Sequence, residues 1–272
     1  MLSFADRFIL KQLRDLSEVG IYTVGYKIAG VINVIILQSF QTGFLPIAYK
    51  MFDKEDASRF FSKVLTYLSF VIMFAILVLS LFSKELLIVF TSNQSYWSAY
   101  LIVPLISLTF LIKGWQYVFV LGLHYAKQTK FIAYIVLLAV GINIGLNYLL
   151  IPYWGMYGAA FTSIVSTLIN VMLIYRYSQK FYAIKYEFSK ILKIVVLGVG
   201  ILVIYYFIND LDLIYRIPIK ILLIISFPFG LYVMKFYDKI EIERINDFWH
   251  TWRHPGKWKE NINRFRKSKL SE

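Results

Sequence analysis

From residue 19 to residue 236 the chain is a succession of apolar runs, most of them about twenty residues or longer, separated by short polar breaks. No other feature restricts the fold as strongly. About 20 apolar residues wound as a helix span the roughly 30 Å hydrocarbon core of a bilayer. Inside that core every backbone N–H and C=O needs an internal partner, which a helix supplies within its own segment. Seven runs are read, at about 19–49, 64–90, 99–125, 131–151, 155–177, 191–208 and 217–236. A soluble helical protein would have to bury all of them in one core. With 59% hydrophobic and 17% charged residues in 272, against about 45–50% and 25% in soluble domains, such a core is too large for the chain. The expectation is an all-α, polytopic membrane helical bundle of about seven transmembrane helices.

Between the fourth and fifth runs lie only Pro152, Tyr153, Trp154 and Gly155. Proline stops the first helix and glycine permits the turn, so the two runs form an antiparallel hairpin. Pro152, Gly155 and, at the start of the next helix, Gly158 are the structural turn residues. Small residues also recur at helical spacing, as Gly25 with Ala29 and as Gly141 with Gly145. Such faces let backbones approach in lipid.

Orientation follows from Lys and Arg in alternate connections. One side, including the tail from Lys235, carries twenty-one and the other six; Lys27 and Lys113 lie inside runs. The richer side is expected to be cytoplasmic, which puts the C-terminus inside and the N-terminus outside. The first residues, MLSFADRFILKQLRDLSEVG, have neither the basic start nor the cleavage site of a signal peptide. They read as the outward end of a preceding helix, so the chain is expected to be the C-terminal part of something longer. The tail, 237–272, is basic and carries Trp249, Trp252 and Trp258, a composition suited to anionic headgroups. Beside seven spans, the formal charge of +13 points to membrane lipids and topology, not to nucleic acid.

The polar residues inside the runs carry what functional signal there is. Thr23, Lys27, Gly30, Gln38 and Gln41 fall on one helical arc with Asn33 at its flank. Thr109, Lys113, Gln116, Tyr117 and His124 share another. Two polar stripes, each centred on a lysine, suggest a common cavity, because intramembrane charges are costly and usually line a pathway. None of the sixteen acidic residues is read as lying deep in a run, with Asp6 the borderline case. A cavity of lysines and amides suits an anionic or sugar-rich cargo. Asn143 and Asn147 are four apart, hence on one face; Asn143 is expected to touch cargo and Asn147 to bond a neighbouring helix. There is no cysteine, which excludes disulfides and thiol chemistry. HExxH, GxSxG and P-loop motifs are missing, and the acidic clusters at 53–56 and 210–212, the second of them the D-x-D of Asp210, Leu211 and Asp212, read as solvated loops. No catalytic residue, metal site or cofactor is expected.

The stretch NIGLNYLLIPYWGMYGAAFTSIVS, residues 143–166, resembles the N-x-x-LIP-x-x-G-x-x-GAA pattern of Wzx-type polysaccharide and O-antigen flippases of the MATE-like (MOP) superfamily. DRFILKQLRDLSEVGIYTVGYKIAGVIN, 6–33, and YWSAYLIVPLISLTFLIKGWQYVFVLGLHYAKQTK, 96–130, are similar to further segments of that family in the same order. The resemblance covers roughly 6–190. It implies one lobe of a MATE-like fold plus two extra C-terminal helices. The organisation would be 1–18 as the end of a preceding helix and loop, 19–178 as C-lobe helices, 189–236 as the two additional helices, and 237–272 as a cytoplasmic tail. The implied activity is flipping undecaprenyl-pyrophosphate-linked oligosaccharide across a bacterial inner membrane, with an N-terminal lobe supplied in cis or by a split chain. Lys27, Asn33, Gln38, Lys113, Gln116 and Asn143 are the candidate cargo-binding residues. The alternatives are a MATE-like drug or lipid exporter and, from another class, a membrane glycosyltransferase or polysaccharide polymerase. The exporter reading wants an intramembrane carboxylate; the enzyme reading wants a large outward loop, whereas the longest outward connection read here is 91–98.

Overall fold

In the computed structural model, residues 2–208 and 212–243 are described, and all regular structure among them is helical. Among the described residues, six helices are long and apolar enough to cross a membrane: Leu16–Met51, Ala57–Leu81, Val103–Tyr125, Thr129–Phe181, Phe188–Ile208 and Ile214–Val233. The chain divides into a large unit, Met1–Phe227, and a small one, Pro228–Glu272.

A short helix, α1 (Leu2–Leu13), precedes α2 (Leu16–Ile32), which continues through a π-helical segment, Asn33–Gln38, into α3 (Ser39–Met51). The π segment winds more residues per turn, so positions beyond Asn33 rotate away from where a 3.6-residue period puts them. The run read as 64–90 is two helices, α4 (Ala57–Leu81) and α5 (Ser83–Phe90). They part at Phe82, where the Ser83 hydroxyl donates to the Ser80 carbonyl (2.7 Å). A 3-10 segment, Gln94–Leu101, leads into α6 (Val103–Phe119), with Pro104 in its first turn, where the missing N–H has no intrahelical partner to lose. After α7 (Leu121–Tyr125) come α8 (Thr129–Phe181), α9 (Phe188–Ile208) and α10 (Leu213–Val233).

Helix α8 is not one rod. Wound straight, its 53 residues would reach about 80 Å. Gly155, at φ +53° and ψ −133°, reverses the chain instead. The Asn143 amide lies 3.2 Å from Ser166 Oγ, and the Phe131 and Tyr177 rings stack at 5.1 Å. The two arms are therefore antiparallel, as Pro152 and Gly155 predict. They meet so closely that a Cβ on Gly158 would stand 2.7 Å from the Leu150 carbonyl oxygen.

Within the large unit α4 packs on α6 and α9, α6 on α2 and α8, and α1 on α8. Small residues set two of these approaches. A Cβ on Gly25 would meet Ile102 at 2.5 Å, and one on Gly198 would meet Met73 at 2.4 Å. The expected close face at Gly141 and Gly145 is corrected: both are exposed and a Cβ on either meets nothing within 4 Å. Within the small unit the Tyr237 hydroxyl donates to the Pro228 carbonyl (3.4 Å), and the Asp238 N–H is capped by Glu241 Oε2 (2.8 Å). Trp249, Trp252 and Trp258, with Asp210 and Leu211 of the second acidic cluster, lie outside the described residues.

Candidate functional site

The structure's largest departure from the sequence reading is Asp6, which is completely buried. Helix α1 lays it against both arms of α8, and four side chains donate to its carboxylate. Oδ1 accepts from Asn147 Nδ2 (2.8 Å) and Asn143 Nδ2 (3.1 Å); Oδ2 accepts from Ser163 Oγ (2.5 Å) and Tyr22 Oη (3.2 Å). No lysine or arginine is in ion-pair contact with it among the described residues. The reading that no acidic side chain lies deep is thereby corrected at this one position.

The two asparagines now have their reason. Four residues apart on the first arm of α8, they present two amides to one carboxylate oxygen, and Asn147 also donates to Asn143 Oδ1 (3.2 Å). Both side chains are fully buried. Asn143, expected to face cargo, spends its amide on Asp6 and on Ser166 (3.2 Å). Removing four polar groups and a charge from water costs several kcal/mol unless each finds a partner. Hydrogen bonds to a charged acceptor return about 1.5–3 kcal/mol apiece. One oxygen stays unpartnered, Asn147 Oδ1, so the cluster holds a spare acceptor beside its carboxylate.

A small cleft, with room for about one water, opens from this cluster and is lined by Tyr22, Tyr26, Thr109, Lys113, Ser163 and Thr167 among others. Tyr22 and Ser163 belong to both, so the cleft joins Asp6 to Lys113. Thr109 Oγ1 and Thr167 Oγ1 are buried without hydrogen-bond partners. The Lys113 ammonium sits 5.0 Å above the Phe110 ring, and the Arg7 guanidinium 4.8 Å above Tyr26, both distances at which a cation is attracted to a ring face. Arg7 thus adds a second cation at the cleft's rim that the sequence reading did not single out.

The remaining candidates are dispersed. Lys27 is exposed and lines a different cleft, of about 390 Å³, among Val24, Leu79, Leu87 and Phe90, so the two lysines do not share a cavity here. Gln38 is exposed and Asn33 partly so, on the π segment and its last residue. Gln116 accepts from Asn170 Nδ2 (3.2 Å), linking α6 to the second arm of α8.

The turn of α8 is held from outside by two residues that no motif pointed to. Arg14 donates to the carbonyls of Ile151 (3.2 Å) and Pro152 (3.0 Å), which the end of the first arm leaves open. Glu18 accepts the Met156 N–H (3.1 Å) at the start of the second arm. Each charge has the sign that its helix end favours. Compared with known proteins, the chain matches no family model, no curated protein and no solved structure.

Proposed function

We propose that the chain is one lobe of a transporter that flips lipid-linked oligosaccharide across a bacterial inner membrane, with the Asp6 cluster as its coupling site. The observation that carries the coupling-site part of this reading is the buried carboxylate shared by α1, α2 and both arms of α8. A carboxylate inside a membrane bundle is expensive and usually serves ion or proton movement. This one can take two hydrogen-bond patterns. Ionised, it accepts from two amides and two hydroxyls. With a proton on Oδ2, one of the Tyr22 and Ser163 hydroxyls rotates to accept it while the other still donates. For a monovalent cation, flipped amides would add Asn143 Oδ1 and Asn147 Oδ1 to the carboxylate and Ser163 Oγ, an all-oxygen set. Either change alters how α1 is tied to α8, which is what a lobe that rocks between states requires.

In this reading the two arms of α8 are separate crossings, making seven, with the last two helices appended to a MATE-like lobe. The tail is cytoplasmic, membrane lipids surround the bundle, and a second lobe supplies the other wall of the path. Lys113, with Arg7 nearby, receives the anionic head of the cargo; Lys is a point-charge phosphate binder. The flippase identity rests on the resemblance of the segments at 6–33, 96–130 and 143–166. One observation favours the second reading, a MATE-like drug or lipid exporter: Asp6 is the buried carboxylate that a cation-for-proton exchanger needs. Disrupting the gene in its host separates the two. Inner-leaflet undecaprenyl-linked oligosaccharide should accumulate while surface polysaccharide is lost. Unchanged polysaccharide with heightened sensitivity to cationic drugs would transfer the assignment to an exporter.

A further inference from the structure

The clasp around the α8 turn also frames a cleft of about 510 Å³, open to the outside, formed by Arg14 and Glu18 on one wall and by Tyr153, Trp154 and Tyr157 on the other. Three aromatic rings crowd one turn and remain uncovered: Tyr153 is 82% exposed, Trp154 55% and Tyr157 38%. The Trp154 ring is not loose, because Phe161 meets it edge-on at 5.8 Å and 76°. Polar capacity is left over as well. Arg14 uses Nε and Nη2 on the turn, and Glu18 uses Oε2 on Met156. Arg14 Nη1 and Glu18 Oε1 have no hydrogen-bond partner among the described residues.

We infer that this cleft is a carbohydrate-binding site for a neutral hexose or N-acetylhexosamine unit of an oligosaccharide. The electron-rich face of an indole or phenol attracts the partly positive C–H bonds on one face of a pyranose. The equatorial hydroxyls of such a ring both donate and accept, which matches a carboxylate oxygen and a guanidinium N–H lining one cleft. Net charge argues against other occupants. The Arg14 and Glu18 charges cancel, so a phosphate headgroup gains no field and meets a carboxylate. An acyl chain would leave both charges unsolvated. Aromatic residues at a membrane surface are ordinary, but an interfacial belt has no use for a carboxylate oxygen lining the same cleft as the rings. The volume falls in the range of small-molecule pockets. The site deepens the flippase reading, since in that topology the turn lies on the outward side, where a translocated glycan emerges.

The test is saturation-transfer-difference NMR on the full chain in lipid nanodiscs, with chitotriose, maltotriose and inorganic phosphate as probes. Ring C–H protons of at least one trisaccharide should receive saturation. The transfer should fall at least fivefold in Trp154→Leu and in Tyr153→Leu, hold in Tyr134→Leu on the same arm of α8, and survive excess phosphate. Tyr153 is too exposed to support the fold, so its variant keeps the test interpretable if Trp154→Leu unfolds. Absence of transfer from both sugars, transfer that persists in Tyr153→Leu, or displacement by phosphate would overturn the inference. Because no transport is measured, failure here leaves the flippase reading standing, and failure of the gene-disruption test leaves a positive binding result standing.

Discussion

Replacing Ser163 by Ala asks whether the carboxylate of Asp6 is charged in the resting fold. The Ser163 hydroxyl is 2.5 Å from Asp6 Oδ2, and the residue is 8% exposed, so little water can replace it. The change removes one small polar atom and leaves Asn143, Asn147 and Tyr22 in place as donors. A hydrogen bond to a charged group is worth about 1.5–3 kcal/mol. Neutral bonds between helices in a membrane average about 0.6 kcal/mol. The substitution should therefore cost about 1.5–3 kcal/mol if Asp6 is ionised and well under 1 kcal/mol if it is not. The control is the same substitution in an Asp6→Asn background. There the new amide nitrogen fits at the Oδ2 position, donating to the Tyr22 and Ser163 hydroxyls while Oδ1 still accepts from both asparagines. The bond to residue 163 becomes neutral and its loss should cost about 0.5–1 kcal/mol. Reversible unfolding in mixed micelles, followed by tryptophan fluorescence, gives the four stabilities of the cycle. A coupling energy of about 0.5–2.5 kcal/mol is expected. Equal losses in the two backgrounds would refute the argument that a charged acceptor organises the cluster.

Three further outcomes follow from the geometry. Gly155→Ala should cost at least about 1–3 kcal/mol, because φ +53° with ψ −133° belongs to glycine and the new Cβ would press on the Glu18 carboxylate; thermal unfolding in detergent measures it. Gly25→Ala should destabilise through its collision with Ile102, whereas Gly141→Ala, which meets nothing, should be neutral or gain up to about 1 kcal/mol from helix propensity; the same unfolding assay ranks the pair, and the reverse order would contradict the packing described. Topology reporters fused after residues 56, 185 and 260 should all read cytoplasmic, and a split result would undo the crossing count.

Much of this arrangement was legible in the sequence. Apolar length located the helices long and apolar enough to cross a membrane, and Pro152 with Gly155 announced the hairpin, because both signals are local. The break at Phe82 was not visible, since Leu, Phe and Ser at 81–83 interrupt no apolar pattern. Counting the polar arc through Lys27, Gln38 and Gln41 at 3.6 residues per turn accumulates error, because a π segment intervenes at 33–38. Asp6 was missed because its partners are far away in sequence, Asn143 by 137 residues and Ser163 by 157. Its own helix, with Arg7, Lys11 and Gln12 nearby, looks like a polar chain end. The signal that could have found it was on the other side of the contact. Asn143, Asn147, Ser163 and Tyr22 are polar groups on faces otherwise built to be buried, and such groups require a common partner.

The account turns on Asp6 acting as the coupling group and not as a packing residue. Asp6→Asn keeps the size and most of the hydrogen bonds of the native side chain while removing its charge. The most direct measurement is surface polysaccharide produced by the host carrying that variant, normalised to the amount of protein in the membrane. Near-normal abundance with export reduced at least tenfold is the predicted result. Export at the native level would contradict the claim.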